Sequence, residues 1–489
     1  MNMTAEINIF THFFLPLFVI LTIMFVWKLF SKDNRESNQS KNHIITKKSS
    51  DQLLNANKRI HQIFNDNIEN PDLSQSNQVK LFDINPPQSI KEIEIAFINR
   101  ETELVSDVKH FHAEFRSNKI NVIHGSSRTG KSHYMKKLLI ALEKENRPFW
   151  IKYINANSKE TVRYVFHRIF RYLKDGIEIC ADSNSRELSP DIQFIQLLSQ
   201  DLNKLIDKKG PEKIASIQTK SFYSKNHEIL TSIADLPDFI KASLENKNDH
   251  FFYRPSDNQL AEIIKYQAEF LVSISNNRYQ SVLLAIDDVD LLYLQEEGLD
   301  EVDALYKLLS ELSVSKTINI LITTRQNLSP DRGKDFDYFR KILPLKEPDF
   351  KSIYQKRIEL YHQNQAVFTP EALDYLIQCA DGSPGIFLNH CKKILREISP
   401  PISRNDIHKA LDQIVERYLD KNSDLKEYVK SIQSQIFEHE DQKTSLTVNL
   451  PINVSYTKLI FFFISPTPQP GEYEVNQIIK DYFQSKGNA

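Results

Sequence analysis

Eight residues constrain this chain more than any other stretch: Gly125-Ser126-Ser127-Arg128-Thr129-Gly130-Lys131-Ser132. The apolar run Ile120-Asn121-Val122-Ile123 precedes them and a helix is expected from about His133. A strand, a glycine loop and a helix N-terminus in that order bring a cluster of backbone N–H groups together around an anion. In G-x-x-x-x-G-K-[ST] the lysine reaches the β and γ phosphates and the hydroxyl meets Mg²⁺, which gives those tasks to Lys131 and Ser132. Gly125 to Ser132, with His133 at the helix end, are therefore expected to hold a nucleotide. The chain has only 10 glycines, and Gly125, Gly130 and Gly382 fall in the motifs described here.

The 489 residues leave room for several domains. A net charge of −2 gives no general sign of a protein that neutralises many phosphates, so nucleic acid is not indicated as a partner. Cys180, Cys379 and Cys391 are too scattered for a metal knuckle or a disulfide framework. The uncharged run from Phe13 to Trp27, extended by Ile7 to Phe10 and by Leu29-Phe30, is predominantly apolar over about 20 residues, enough to cross a hydrocarbon core. A cleaved signal peptide would carry a basic start and a small-residue cleavage site, and neither is present. Lys28, Lys32, Arg35, Lys41, Lys47 and Lys48 follow the run, which predicts a single-pass anchor in the cell (inner) membrane with the remainder in the cytoplasm.

After a polar stretch rich in Asn, Ser, Gln and Lys, strand candidates alternate with helices. The strands are Ile120 to Ile123, Trp150 to Ile154, Val282 to Asp287 and Ile318 to Thr323, a pattern that predicts a parallel α/β sheet. The expected organisation is a segment 1–31 with one transmembrane helix and a polar linker 32–88. A P-loop domain 89–345 follows, with a helical insertion at about 176–278, then a helical lid 346–420 and a small α+β region 421–489. Leu459 to Ile464 reads as a core strand.

Several segments resemble known ATPases. Val282-Leu283-Leu284-Ala285-Ile286-Asp287-Asp288 is similar to a Walker B strand, which implies Mg²⁺ held by Asp287 and an attacking water polarised by Asp288 as general base. Ile318 to Thr323 followed by Thr324-Arg325 resembles the sensor 1 segment of STAND ATPases, including the NB-ARC branch, and implies that Arg325 meets the γ-phosphate. Phe97-Ile98-Asn99-Arg100-Glu101-Thr102-Glu103-Leu104 looks like the F-x-G-R-E-x-E-L box of STAND and origin-recognition-type AAA+ ATPases, with Asn99 in the glycine's place. Gly382-Ser383-Pro384 resembles the lid signature that sets a proline near adenine, which implies a base-side role for Pro384.

Two departures separate the chain from an AAA+ motor. Gly385 stands where such motors often carry a sensor 2 arginine, and Asp288 where they usually carry glutamate. Ile286-Asp287-Asp288-Val289-Asp290 also fits the acidic string of KAP-type ATPases, whose membrane segments usually lie inside the ATPase domain, whereas the insertion here is polar.

The expectation is a membrane-anchored ATPase that hydrolyses Mg²⁺-ATP slowly, as a conformational switch in signalling or defence with a protein partner. The alternatives are an oligomeric AAA+-type remodelling motor, with Arg332 or Arg340 as an arginine finger in a homo-oligomer, and an ATP-bound scaffold without turnover.

Overall fold

The computed structural model describes most of residues 100–196, 257–325 and 336–487, with short pieces at 59–64, 81–82, 93 and 232–241. Residues 1–62 form one unit, of which little is described, and residues 63–489 form the other, to which everything below belongs. The apolar run at 7–30 lies outside the described residues. Among the described residues no helix is long and apolar enough to cross a membrane.

The elements in order are α1 (Glu101–Ala113), β1 (Ile120–His124), α2 (Lys131–Lys144), β2 (Phe149–Asn155), α3 (Val162–Ser183), α4 (Asp257–Ile274), β3 (Ser281–Asp287), α5 (Gly298–Ser313), β4 (Ile318–Thr324) and β5 (Phe336–Lys341). The five strands form one sheet in the order β2-β3-β4-β1-β5, parallel throughout. β3 and β4 are buried along their whole length. Such continuous apolar runs form when helices cover both faces of a sheet. Val282, Leu284 and Ile286 of β3 share a core with α3, α4 and α5. Leu283 and Ala285 alternate to the other side, and α2 packs on the sheet from its own apolar stripe of Tyr134, Met135, Leu138, Leu139 and Leu142. The fold is an open parallel α/β sheet.

β5 is an element that the sequence pattern hides. It pairs with β1 at the sheet edge across a register shift between Asn121 and Ile123. Asp337, Arg340 and Lys341 give it the polar cast of an edge strand and obscure its alternation. The segment 176–278 is also less separate than its polarity suggests. Ile177, Cys180 and Ala181 continue α3, and Ile263, Ile264 and Leu271 of α4 lie in the same core as the sheet.

A second body follows: α6 (Glu347–Tyr361), α7 (Pro370–Cys379), α8 (Pro384–Glu397), α9 (Arg404–Lys421), α10 (Lys426–Glu438), β6 (Thr447–Asn449), β7 (Ile464–Pro466), β8 (Glu472–Val475) and α11 (Gln477–Gly487). The strands form a small antiparallel sheet in the order β6-β8-β7. Of the strand expected at Leu459 to Ile464, residues 459–462 lie outside the described residues, and β7 begins at Ile464. One core joins α6 to α9 with Val429, Ile432, Phe463, Ile478 and Phe483, so residues 346–420 and 421–489 are packed together.

The same core takes in two residues of the stretch read as a solvated linker. Leu81 and Phe82 are fully buried. Phe82 stacks on Tyr354 at 6.2 Å and tilts against Phe368 at 5.8 Å, and Arg357 donates to the Leu81 carbonyl at 3.0 Å. Removing a buried phenyl ring costs about 3–5 kcal/mol. Phe82→Ala is expected to move the urea transition earlier and to speed hydrogen exchange in α6 and α7. A solvated linker would give no change.

Candidate functional site

Ligand sites of open parallel sheets form outside the carboxyl ends of the strands, where neighbouring crossovers part. Here β4 lies between β1 and β3, and the parallel pairing sets the carboxyl ends of all three at the same end of the sheet as the start of the 125–130 loop. The loop is shaped by its glycines. Gly130 takes φ 95 and caps α2 with no side-chain hydrogen bond, and the first turn of α2 carries no acidic residue. The N–H groups and the positive end of the helix dipole are thus left to an anion. At Gly125 a Cβ would stand 2.5 Å from the Ile342 carbonyl oxygen.

Lys131 is buried in the loop, and its ammonium donates to the carbonyls of Gly125 at 3.0 Å and Ser126 at 2.8 Å. Thr129 Oγ1 donates to the Ser126 carbonyl at 3.0 Å. Ser132 follows in the first turn of α2, and Ser127 lies outside the described residues. The His133 ring is engaged outside the loop, with Nε2 2.9 Å from the Ile93 carbonyl oxygen.

Asp287 ends β3 fully buried. Its carboxylate accepts from Thr323 Oγ1 at 2.5 Å, from the Asp288 backbone N–H at 3.0 Å and from Tyr153 Oη at 2.6 Å. A carboxylate offers about four acceptor positions, so three donors fix its orientation and leave room for one more partner. Burial of the Tyr153 phenol, then the Asp287 carboxylate, pushes it well above its ordinary value, which keeps it a donor. Asp288 adopts φ 55, a left-handed conformation that Asp tolerates better than most residues. Its N–H also donates to Thr323 Oγ1 at 2.7 Å. Arg325 follows directly after β4. Asp290 and Arg332 lie outside the described residues.

The first turn of α8 meets the loop at Arg128. Ser383 caps α8, with Pro384 in its first turn, and the backbone N–H of Gly385 donates to the Arg128 carbonyl at 3.2 Å. Leu345 N–H donates to the Gly382 carbonyl at 2.9 Å, so the Gly-Ser-Pro turn rests on the connection between β5 and α6.

Arg100, quoted in the upstream box, ties these parts together. It donates to the Thr129 carbonyl at 3.1 Å and to the Leu343 carbonyl at 2.8 Å, linking the loop to the lid connection. Arg340 has a structural partner. Its Nε donates to Asp107 at 2.9 Å and its Nη2 pairs with the same carboxylate, which Tyr134 Oη also reaches at 2.6 Å. In this chain's own structure it therefore clamps β5 to α1 and does not project outward as a finger. Thr323, Tyr153 and Asp107 were not singled out from the sequence, although Thr323 lies inside the quoted β4 run.

Cations concentrate around the loop. Burial, then Arg325, lowers the Arg128 guanidinium to about 9, with Asp288 opposing. Burial, then Arg396 and Arg128, lowers Lys393 of α8 to about 8. Burial, then Lys341 and Lys131, lowers His124. Such mutual repulsion is relieved by a multiply charged anion. Among the described residues no group of three His, Cys, Asp or Glu side chains could cage a metal. Mg²⁺ needs no such cage, because it is commonly held by one or two protein oxygens, waters and substrate phosphates. The Ser132 hydroxyl and the remaining acceptor position of Asp287 suit that donor set.

No family model and no curated protein matches the chain. Among solved structures it is similar to the Aeropyrum pernix ORC1 protein in complex with DNA, at 13% identity and TM-score 0.36, over 84% of this chain and 97% of that one. It is similar to Drosophila ORC bound to DNA at 12% identity and TM-score 0.36, over 87% and 95%. It is similar to C. elegans PCH-2 at 15% identity and TM-score 0.29, over 67% and 68%.

The partly buried His133 ring gives the site region a pH dependence. Burial lowers its pKa from 6.5 to about 4. The unfolded chain then binds the proton first, so the stability that neutral His133 contributes is complete above pH 6.5 and is lost as pH falls towards 4. His390, lowered by burial to about 3, acts in the same direction. Urea transitions between pH 7 and 4 are expected to shift earlier as pH falls, and less so in His133→Gln.

Proposed function

We propose that the chain binds Mg²⁺-ATP in the 125–132 loop and hydrolyses it slowly as a conformational switch. The observation that supports this reading best is convergence. The loop, the acidic end of β3, the cation after β4 and the first turn of α8 meet at one end of one sheet.

The chemistry follows from the residues. Lys131 exchanges its two loop carbonyls for the β and γ phosphates, and the α2 N-terminus holds the phosphate chain. Ser132 and Asp287 would hold Mg²⁺, which neutralises charge on the transferring phosphoryl group when bound. Asp288, set by the two hydrogen bonds of its N–H, takes the proton of the attacking water, and Arg325 stabilises charge developing on the γ-phosphate. Pro384, in the first turn of α8, would meet the adenine base. A base one carbon shorter than glutamate stands further from its water, and misplacement on the order of 1 Å can cost about 10²-fold, which suits a switch.

Anchoring by the 7–30 run, with the ATPase on the cytoplasmic face, belongs to the same proposal, as does a protein partner that reads the lid. A remodelling motor is the weaker reading, since Arg340 is paired within the chain. Phosphate release by the full chain tests the proposal. Lys131→Ala is expected to abolish both binding and turnover. Asp288→Asn is expected to keep Mg²⁺-ATP binding while slowing release by about 10²-fold or more. Binding with no release under any condition would leave the scaffold reading in its place.

A further inference from the structure

Arg128 joins the loop to the lid through both its main chain and its side chain. It adopts φ 61, uncommon for a residue with a long side chain. Its carbonyl accepts from Ser383 Oγ and from the Gly385 backbone N–H, each at 3.2 Å. Its own Nη1 donates to the Gly385 carbonyl at 3.4 Å. The side chain thus runs along the first turn of α8.

Gly385 is shaped to this path. Its φ is not in the left-handed region, so backbone conformation does not call for glycine, and glycine lowers helix stability relative to alanine. Space does call for it. A Cβ at position 385 would stand 2.6 Å from Arg128 Cβ, 3.1 Å from Cγ and 3.2 Å from Cδ. The nearest of these atoms is fixed to the loop backbone and cannot swing aside. Arg128 also feels Arg325 and Asp288 at the strand ends.

We propose that Arg128 is the positioning residue that couples lid to phosphate, with Gly385 as the notch that seats it. The proposal rests on the nucleotide reading above. Phosphates entering the loop attract the guanidinium, and the first turn of α8, bonded to the same residue, moves with it. The cation that closes over the phosphates then comes from the loop, and the lid supplies only the space for it.

A coupling between two sites changes affinity by roughly 5–150-fold, reciprocally. In the full chain, Mg²⁺-ATP is expected to slow hydrogen exchange in the first turns of α8. Arg128→Gly suits the left-handed φ and keeps the main-chain bond to the lid. It is expected to weaken Mg²⁺-ATP binding by roughly 5-fold or more and, at saturating Mg²⁺-ATP, to lose the nucleotide-dependent protection, and Arg128→Lys to recover part of both. Gly385→Ala is expected to lower the thermal midpoint in the wild-type background and to be tolerated in Arg128→Gly, where the clashing side chain is gone. Full protection in Arg128→Gly, or an equal cost of Gly385→Ala in both backgrounds, overturns the coupling and leaves the ATP site standing. Failure of the wild-type chain to bind Mg²⁺-ATP overturns both.

Discussion

A parallel sheet covered on both faces has few places to be polar. Every residue of β3 and β4 is buried, and a buried polar group without a partner is costly. The chemistry of the chain is therefore gathered at the carboxyl ends of the strands, where crossovers part and backbone N–H groups open to solvent. Asp287 illustrates the constraint. It is an ionisable group with no exposure, held by Thr323 from β4, Tyr153 from β2 and the N–H of Asp288. Three elements fix one carboxylate, and that carboxylate in turn helps fix Asp288 in its left-handed turn.

The opposite wall of the site is cationic. Lys131 and Arg128 come from the loop and Arg325 follows β4, and Lys393 of α8 feels Arg128. Burial together with the repulsion of neighbouring cations lowers Arg128 and Lys393. A multiply charged anion would relieve this repulsion. Arg100 and Gly382 add a mechanical link, since both bond the connection from β5 to the lid.

Much of this was legible in the sequence where chemistry demands a fixed spacing. Gly125 to Ser132 declared strand, loop and helix together, and the apolar runs ending in Asp287 and in Thr324 marked the two neighbouring strands. What escaped depends on pairing across distance. β5 carries charges suited to an edge and a register shift that breaks its alternation. Phe82 sits in a stretch whose composition suggests solvent, and only packing against Tyr354 and Phe368 reveals it as core. Arg340 reads from sequence as an arginine-finger candidate, until Asp107 claims it across 233 positions. Gly385 was noticed as a missing arginine. Its meaning came from the neighbour that fills its space.

The central claim is that the loop at 125–132 receives the phosphates of ATP. Its most direct test is an experimental structure of the full chain with Mg²⁺ and a non-hydrolysable ATP analogue. The account predicts Lys131 Nζ turned from the Gly125 and Ser126 carbonyls onto the β and γ phosphates, with the metal near Ser132 and Asp287. An analogue bound elsewhere, or Lys131 still on those carbonyls beside a bound analogue, would contradict it.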